Sequence, residues 1–373
     1  MTHTYADLDP SPRILLGPGP SMVHPRVLRT MATPLIGYMD PEFLEIMADV
    51  KGLLKFVFQT ENEMTLAVPG TGTSAMEAAM VNLLEPGDEV LACVQGYFGQ
   101  RLAEMAARHG AEVQRLERPW GEVMDPADIE SALNGGACKV VTLVHAETST
   151  GALQPAIRDI AALCHDHGAI LVLDCVTSLG GMPVEVDAWG VDIAYSAGQK
   201  CLSGTPGLSP ITVSPRAQDS LARRATPVSA FYLDLQLLAR YWSESPAYHH
   251  TSPTSLMYSL REALRMVQEE GLEARFQRHH DNAERLWRGI EALGLELFVQ
   301  EDHRIPSLTT VRIPEGLDEA GIRSRLLREF NVEIAGGFGP LAGKIWRIGL
   351  MGESSRHEYV SLLIAALGEL LGA

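Results

Sequence analysis

The stretch AILVLDCVTSLGGMPVEVDAWGVDIAYSAGQKCLS, residues 169–203, decides how the chain is read. Its opening run Ala-Ile-Leu-Val-Leu is apolar, β-branched at two positions, and ends at Asp174. That pattern predicts a buried parallel strand that delivers a carboxylate at its C-terminal end. Residues 191–196, Val-Asp-Ile-Ala-Tyr-Ser, repeat the device, and Ala-Gly-Gln then leads to Lys200, which has no charged neighbour on either side. An ammonium set between a buried strand and a glycine-bearing turn is costly to desolvate, so such a lysine either reaches solvent or has a chemical reason to stay. Taken singly, Asp174 also reads as a loop cap and Lys200 as a surface lysine.

Outward from this stretch the chain alternates strand and helix patterns. Upstream, strands are expected over 64–68, 89–94, 112–116 and 140–145, with helices over 41–58, 74–84, 100–109, 126–133 and 155–167. Strand–helix repetition of this kind gives an α/β domain with a mainly parallel, doubly wound sheet. Ligands of such sheets collect at the C-terminal ends of the strands. Thr71, Phe98, His145 with Thr148, Asp174 and Lys200 all fall at such ends. Pro69-Gly-Thr-Gly-Thr73 opens a helix, so unpaired N–H groups and the helix dipole converge there as they do on a phosphate, although similar turns cap helices without any ligand. Phe98 reads as a stacking ring or as a core plug.

Residues 11–21, SPRILLGPGPS, are too rich in Pro and Gly for a helix and form an N-terminal arm, either a tether or a loop lining a site. A further strand over 209–214 and a helix over 216–224 precede an irregular segment, 225–255, that contains Tyr248-His-His-Thr-Ser-Pro. Adjacent histidines point in different directions and have no acidic partner close by, so a polar bridge between subunits is expected rather than a metal site. Two long helices, 256–270 and 272–293, meet at Gly271, the expected domain boundary. The remainder reads as a small α+β domain in which Arg347 sits inside a strand, as a surface ion pair or as a fork for a substrate carboxylate. The expected division is an arm at 1–20, a large domain at 21–270 and a small domain at 271–373.

Composition bounds the function. The 373 residues are 46% hydrophobic and 21% charged, an ordinary globular balance, and their length exceeds one core. A net charge of −17 opposes nucleic acid and anionic membranes, and no apolar run reaches membrane-spanning length. The five cysteines form no CxxC pair, so neither a disulfide framework nor a zinc site is expected. The start, MTHTYAD, lacks the regions of a signal peptide and the end is no peroxisomal address, which leads to the expectation of a cytoplasmic protein.

A lysine amine and a carboxylate at the ends of successive strands are the two groups pyridoxal phosphate needs, one to bond its aldehyde and one to keep its pyridine nitrogen protonated. The chain also resembles the fold-type I, class V pyridoxal-phosphate aminotransferases of the alanine–glyoxylate and serine–glyoxylate group, from about residue 15 to 367. The motifs that carry the likeness are LLGPGPS (15–21), FQT (58–60), EPGD (85–88), HAETSTG (145–151), LVLDCVTSLGG (171–181), GQK (198–200), YHHT (248–251) and IWRIG (345–349). The resemblance implies Lys200 as the lysine that holds the cofactor and Asp174 as the partner of its ring nitrogen. It implies Val176 and Phe98 on the two ring faces and Thr148 at the ring hydroxyl, with Thr71, Gly72, Thr73 and Gln199 at the phosphate. Tyr248 and Thr251 would reach in from a second subunit of a homodimer, and Arg347, with Gly19 and Tyr38 nearby, would bind the substrate.

Two departures are visible. Many members of the group carry Trp in place of Phe98, and Ser-Gly-His in place of Thr71-Gly72-Thr73. The implied reaction is amino transfer from a small donor, alanine or serine, to glyoxylate. Likeness to ureidoglycine–glyoxylate aminotransferases is also present, but those carry Asn before His-His-Thr and Gln in the slot of Tyr38, where this chain has Tyr at both positions. The stretch Asp40-Pro-Glu-Phe also resembles pyridoxamine–pyruvate aminotransferase, which lacks the His-His-Thr segment. A cysteine desulfurase needs a cysteine on the small domain, and none follows Cys201. A nucleotide-binding regulatory module would leave Lys200 without a purpose.

Overall fold

Alternating apolar strands and amphipathic helices build the computed structural model, which describes residues 5–372; the first four residues of the expected arm lie outside that range. The chain opens with β1 (Ile14–Leu15), α1 (Pro25–Thr30) and α2 (Pro41–Phe58). Asp40 caps α2 by accepting the Glu42 amide at 2.9 Å, and Pro41 takes the first helical position, where no N–H is needed. Next come β2 (Met64–Pro69), α3 (Gly72–Leu83), β3 (Glu89–Val94), α4 (Tyr97–Arg108), β4 (Glu112–Glu117), α5 (Pro126–Leu133) and β5 (Val140–Val144). A hairpin of β6 (Ala146–Glu147) and β7 (Ala152–Leu153) leads to α6 (Ile157–Asp166), β8 (Ile170–Asp174), α7 (Val186–Trp189), β9 (Ile193–Tyr195) and β10 (Leu208–Val213). Helices α8 (Pro215–Ala222), α9 (Leu235–Tyr241), α10 (Thr254–Glu270) and α11 (Leu272–Ala292) follow. Then come β11 (Leu308–Arg312), α12 (Glu319–Glu329), β12 (Val332–Glu333), β13 (Ala335–Gly336), β14 (Ile345–Gly349) and α13 (His357–Leu371).

The central sheet has seven strands in the order β2-β10-β9-β8-β5-β3-β4. Strands β9, β8, β5, β3 and β4 pair in parallel, and β10 runs against both of its neighbours. The parallel pairs require crossover helices, which cover the sheet, and β5 and β8 are accordingly buried at every residue. β4 lies at the edge and is mostly exposed.

One apolar core runs from Phe43 through the sheet to Val267 on α10. A second gathers Leu286 and Ile290 of α11, Trp346 and Ile348 of β14 and Leu363 and Leu367 of α13. Gly271, with φ at +82°, separates α10 from α11; Leu272 just after it still packs against the first core, and Leu286 further along α11 belongs to the second. Leu16 is fully buried in the second core, and β1 pairs in parallel with β12, so residues 14–16 are built into the C-terminal unit.

Several boundaries depart from the sequence reading. The helix expected over 74–84 begins at Gly72, and that expected over 100–109 begins at Tyr97. Ala156 adopts φ +58°, which delays α6 to Ile157. The segment 225–255 is not wholly irregular, because Asp234 caps α9 by accepting the amides of Gln236 and Leu237.

Candidate active site

Asp174 ends β8 and stands in parallel register with Tyr195 of β9, so the two side chains share a face. The carboxylate is buried; Oδ1 accepts the Val176 amide at 2.9 Å and Oδ2 accepts the Tyr195 hydroxyl at 2.7 Å. Burial pushes the carboxyl up to about 6, while these hydrogen bonds and the charges of Lys200 and Arg101 pull it back. Lys200 follows β9 on a turn, and its Nζ donates to the Pro18 carbonyl. Burial drives the ammonium down to about 8, with Arg347 pushing the same way and Asp174 opposing. Lysine and carboxylate therefore feel one another's charge across a buried space.

The N-terminal arm lines this space. A Cβ on Gly19, at φ +115°, would lie 2.5 Å from Lys200 Nζ, so only glycine fits. Ser21 fastens the arm to the lysine turn, its amide donating to the Gln199 carbonyl at 2.9 Å and its hydroxyl to the Lys200 carbonyl at 2.8 Å. Tether and site lining, which the sequence left open, are both realised by this backbone. The Gln199 side-chain oxygen is buried and has no hydrogen-bond partner among the described residues.

Around the pair, Thr71 is the N-cap of α3, yet its side chain makes no capping bond. A Cβ on Gly72 would meet Ala197 Cβ at 3.1 Å and Val176 Cγ2 at 3.4 Å. Thr73 accepts Arg101 Nη1 at 3.3 Å. Phe98 lies in the first turn of α4, half-buried, with the Arg101 guanidinium 5.1 Å from its ring centre. The Thr148 and Thr177 hydroxyls are hydrogen-bonded to each other. Arg347 of β14 is buried, donates from Nε to the Gly336 carbonyl at 2.9 Å and from Nη1 to the Thr148 carbonyl at 3.5 Å, and lies 4.0 Å from the centre of the Phe338 ring. Burial pushes its guanidinium down to about 10, against the pull of the Glu147 carboxylate.

Thus Lys200, Asp174, Val176, Gln199, Thr148, Gly19, Gly72 and Arg347 are drawn together. Tyr38, Tyr248 and Thr251 are not joined to them by any hydrogen bond among the described residues: Tyr248 is 59% exposed and packs 5.4 Å from the Tyr38 ring, and Thr251 is exposed. His145 turns away to Ser178, at 2.9 Å, and to Trp189. His249 and His250 bond each other through Nδ1 at 2.9 Å, and His249 Nε2 reaches the Phe231 carbonyl at 3.0 Å.

Four side chains that the sequence reading did not assign belong to the site's surroundings. Tyr195 holds Asp174, Arg101 reaches Thr73 and Phe98, and Phe338 covers Arg347. Glu147 is fully buried and accepts the amides of Phe98, Gly99 and Ser149. Glu147 lies within HAETSTG and Tyr195 within the strand read over 191–196; what each touches is set by strand pairing, which local patterns do not carry.

The pocket fits pyridoxal phosphate. A buried amine, a buried carboxylate, a glycine that leaves room beside Val176, an amide oxygen without a partner and a helix N-terminus whose cap hydroxyl is unused correspond to its aldehyde, ring nitrogen, ring face, polar substituents and phosphate.

Residues 17–342 match the family model of class V aminotransferases. The chain is 43% identical over 377 residues to the (S)-ureidoglycine–glyoxylate transaminase of Bacillus subtilis, covering 96% of this chain and 90% of the relative. It is 41% identical over 363 residues to the alanine–glyoxylate aminotransferase of Drosophila melanogaster, covering 96% of this chain and 92% of that one. A crystal structure of alanine–glyoxylate aminotransferase from Nostoc sp. superposes with a TM-score of 0.97 at 51% identity, covering 99% of this chain and 98% of that one. A lysine and an aspartate poised in a buried cradle, on a fold shared across almost the whole length with these enzymes, make this chain a member of the class V, pyridoxal-phosphate-dependent aminotransferases.

Proposed function

We propose that the enzyme moves an amino group from a small amino acid, alanine or serine, to glyoxylate, forming glycine. The observation that carries this reading is the buried guanidinium of Arg347 in electrostatic reach of Lys200. Its Nε is occupied by Gly336 and one face by Phe338, which fixes the fork toward the site, where it can grip the carboxylate shared by donor and acceptor. Alanine, serine and glyoxylate all carry that group.

When bound, pyridoxal phosphate supplies an electron sink for the carbon that loses its proton. Lys200 and Asp174 would hold it at its aldehyde and ring nitrogen, and the α3 N-terminus with Thr71, Gly72, Thr73 and Gln199 at its phosphate. Val176 and Phe98 would face its ring, and Thr148 its ring hydroxyl. Lys200, pushed down to about 8, is partly uncharged near neutrality, so its Nζ can take the proton from the donor Cα and would hand it to the carbon that the bound cofactor presents beside the lysine, the shift that amino transfer requires. Burial of the pair keeps water from competing for that proton.

The site draws on a second copy in this reading. Tyr248, Thr251, Phe231 and Tyr232 lie exposed on one segment, a surface suited to a homodimer in which Tyr248 and Thr251 enter the partner's site. Tyr38 and Tyr248 offer phenol rings and no amide, which favours a plain amino-acid donor. Ureidoglycine is the second reading, favoured by the Bacillus relative. We infer a cytoplasmic enzyme, a reading that its five free cysteines suit. Among the described residues no helix is long and apolar enough to cross a membrane.

Half-reactions separate the donors. Alanine or serine should change the visible absorption of the loaded enzyme in one turnover, and glyoxylate should restore it faster than pyruvate. Response to ureidoglycine alone would overturn the first reading.

A further inference from the structure

We propose that Tyr195 is a positioning residue for the cofactor, its hydroxyl holding the Asp174 carboxylate ionised and aimed at the place of the ring nitrogen. This rests on Asp174 being the partner of that nitrogen. Tyr195 is fully buried, and its ring is fixed in strand register beside Asp174. Its hydroxyl donates to Oδ2 at 2.7 Å, whereas Oδ1 is held by the Val176 amide within its own turn. Tyr195 is thus the side chain that anchors the carboxylate laterally, and a phenol is suited to this: its burial pushes its own ionisation well above the ordinary range, so it remains a donor at every working pH.

The charged groups that act on Asp174 are Lys200 on the following turn, Arg101 on α4 and Glu147 on β6. The first two favour its ionised form and Glu147 opposes it. Cys175 and His145 lie beside it; burial pushes the Cys175 thiol up and lowers His145 to about 4, so both are neutral near pH 7. The carboxyl itself sits at about 6, close enough to neutrality that losing one donor changes its charge within the working range.

Tyr195→Phe keeps the ring and removes only the donor. The test is the dissociation constant of pyridoxal phosphate for the apoenzyme between pH 6 and 8, by equilibrium dialysis, for the wild type, Tyr195→Phe, Asp174→Asn and the double variant. Titration of the phosphate and of Lys200 is common to the wild type and Tyr195→Phe, so their ratio isolates Asp174. The ratio is expected to be severalfold at pH 8 and to widen about tenfold by pH 6, as a carboxyl without its donor takes up a proton. In the Asp174→Asn background the Tyr195 change should have little effect. A ratio of one, or a ratio that stays constant with pH, would overturn the proposal, since lost packing alone has no pH dependence. If Asp174→Asn itself binds as the wild type does, it is the assignment of Asp174 that fails instead.

Discussion

Asp174 is held ionised in a place that burial makes hostile to charge, and this cost is measurable without any catalysis. Its carboxyl is raised above the ordinary value of 3.8 to about 6, so the stability it contributes is full below 3.8 and lost as pH rises through 6. Lys200 works in the opposite sense: lowered from 10.5 to about 8, its contribution is full above 10.5 and lost as pH falls through 8. Between about pH 6 and 8 the apoenzyme therefore carries both penalties. Asp174→Asn is expected to stabilise the apoenzyme at pH 7 by roughly 1–3 kcal/mol while weakening its hold on pyridoxal phosphate; urea unfolding of the apoenzyme beside dialysis of the cofactor checks both signs, and a destabilised apo variant would refute the reading. Lys200→Ala, in turn, should lower turnover by about 10²–10⁴-fold, the range of a lost proton-transfer group, with the protein still folded. At Arg347 the geometry asks for a planar fork, so Arg347→Lys is expected to raise KM for both amino donor and glyoxylate by tenfold or more and to leave cofactor affinity within about twofold. Steady-state kinetics on each substrate decide it, and equal losses in cofactor binding would mean that the arginine serves the cradle instead.

The first turn of α4 shows how one element is placed by another. Gln100 looked like the earliest good helix position after a Gly-Tyr-Phe-Gly run, yet the helix starts at Tyr97 because the Glu147 carboxylate accepts the Phe98 and Gly99 amides across the hairpin. A Cβ on Gly96 would fall 2.4 Å from Glu147 Cγ, so the glycine is there for that approach. Glu147→Ala is expected to cost about 1–3 kcal/mol through buried amides left without an acceptor, and Gly96→Ala a similar amount through overlap. Both should loosen cofactor binding, because Phe98 rides on that turn; thermal unfolding and dialysis measure the two effects, and a variant that loses stability with unchanged affinity would detach Phe98 from the cofactor. The same example marks what was legible in the sequence. Apolar runs ending in Asp174 or leading to Lys200 and the apolar face over 41–58 each act within a few residues, and the strands and helix they announce are where the patterns put them. The early start of α4 and the Tyr195 bond to Asp174 depend on partners 48 and 21 residues away, and the stacking of Phe338 on Arg347 on loop geometry, which no local pattern encodes.

At the scale of the whole molecule, the pocket belongs to neither apolar core alone. The first core supplies Asp174 and Lys200 at the ends of its sheet, and the second supplies Arg347 and, through β1 and Leu16, the arm that brings Pro18 and Gly19 onto the lysine. In the proposed homodimer a third surface joins these two, and Tyr248 and Thr251 lie exposed on the segment that would supply it. If those residues serve the partner's site, damage to them and damage to Lys200 fall in different active sites of a mixed dimer. Protomers carrying Lys200→Ala and protomers carrying Tyr248→Ala with Thr251→Ala should each be poorly active alone. Co-expressed, half of the dimers would be mixed, and each mixed dimer has one site with both its own Lys200 and intact partner residues. Activity should then recover to about one quarter of the wild-type rate by this symmetry argument. Recovery in proportion to the mixed fraction, resolved by differently tagged protomers, supports the shared site; activity that stays at the average of the two parents means that each chain completes its own pocket.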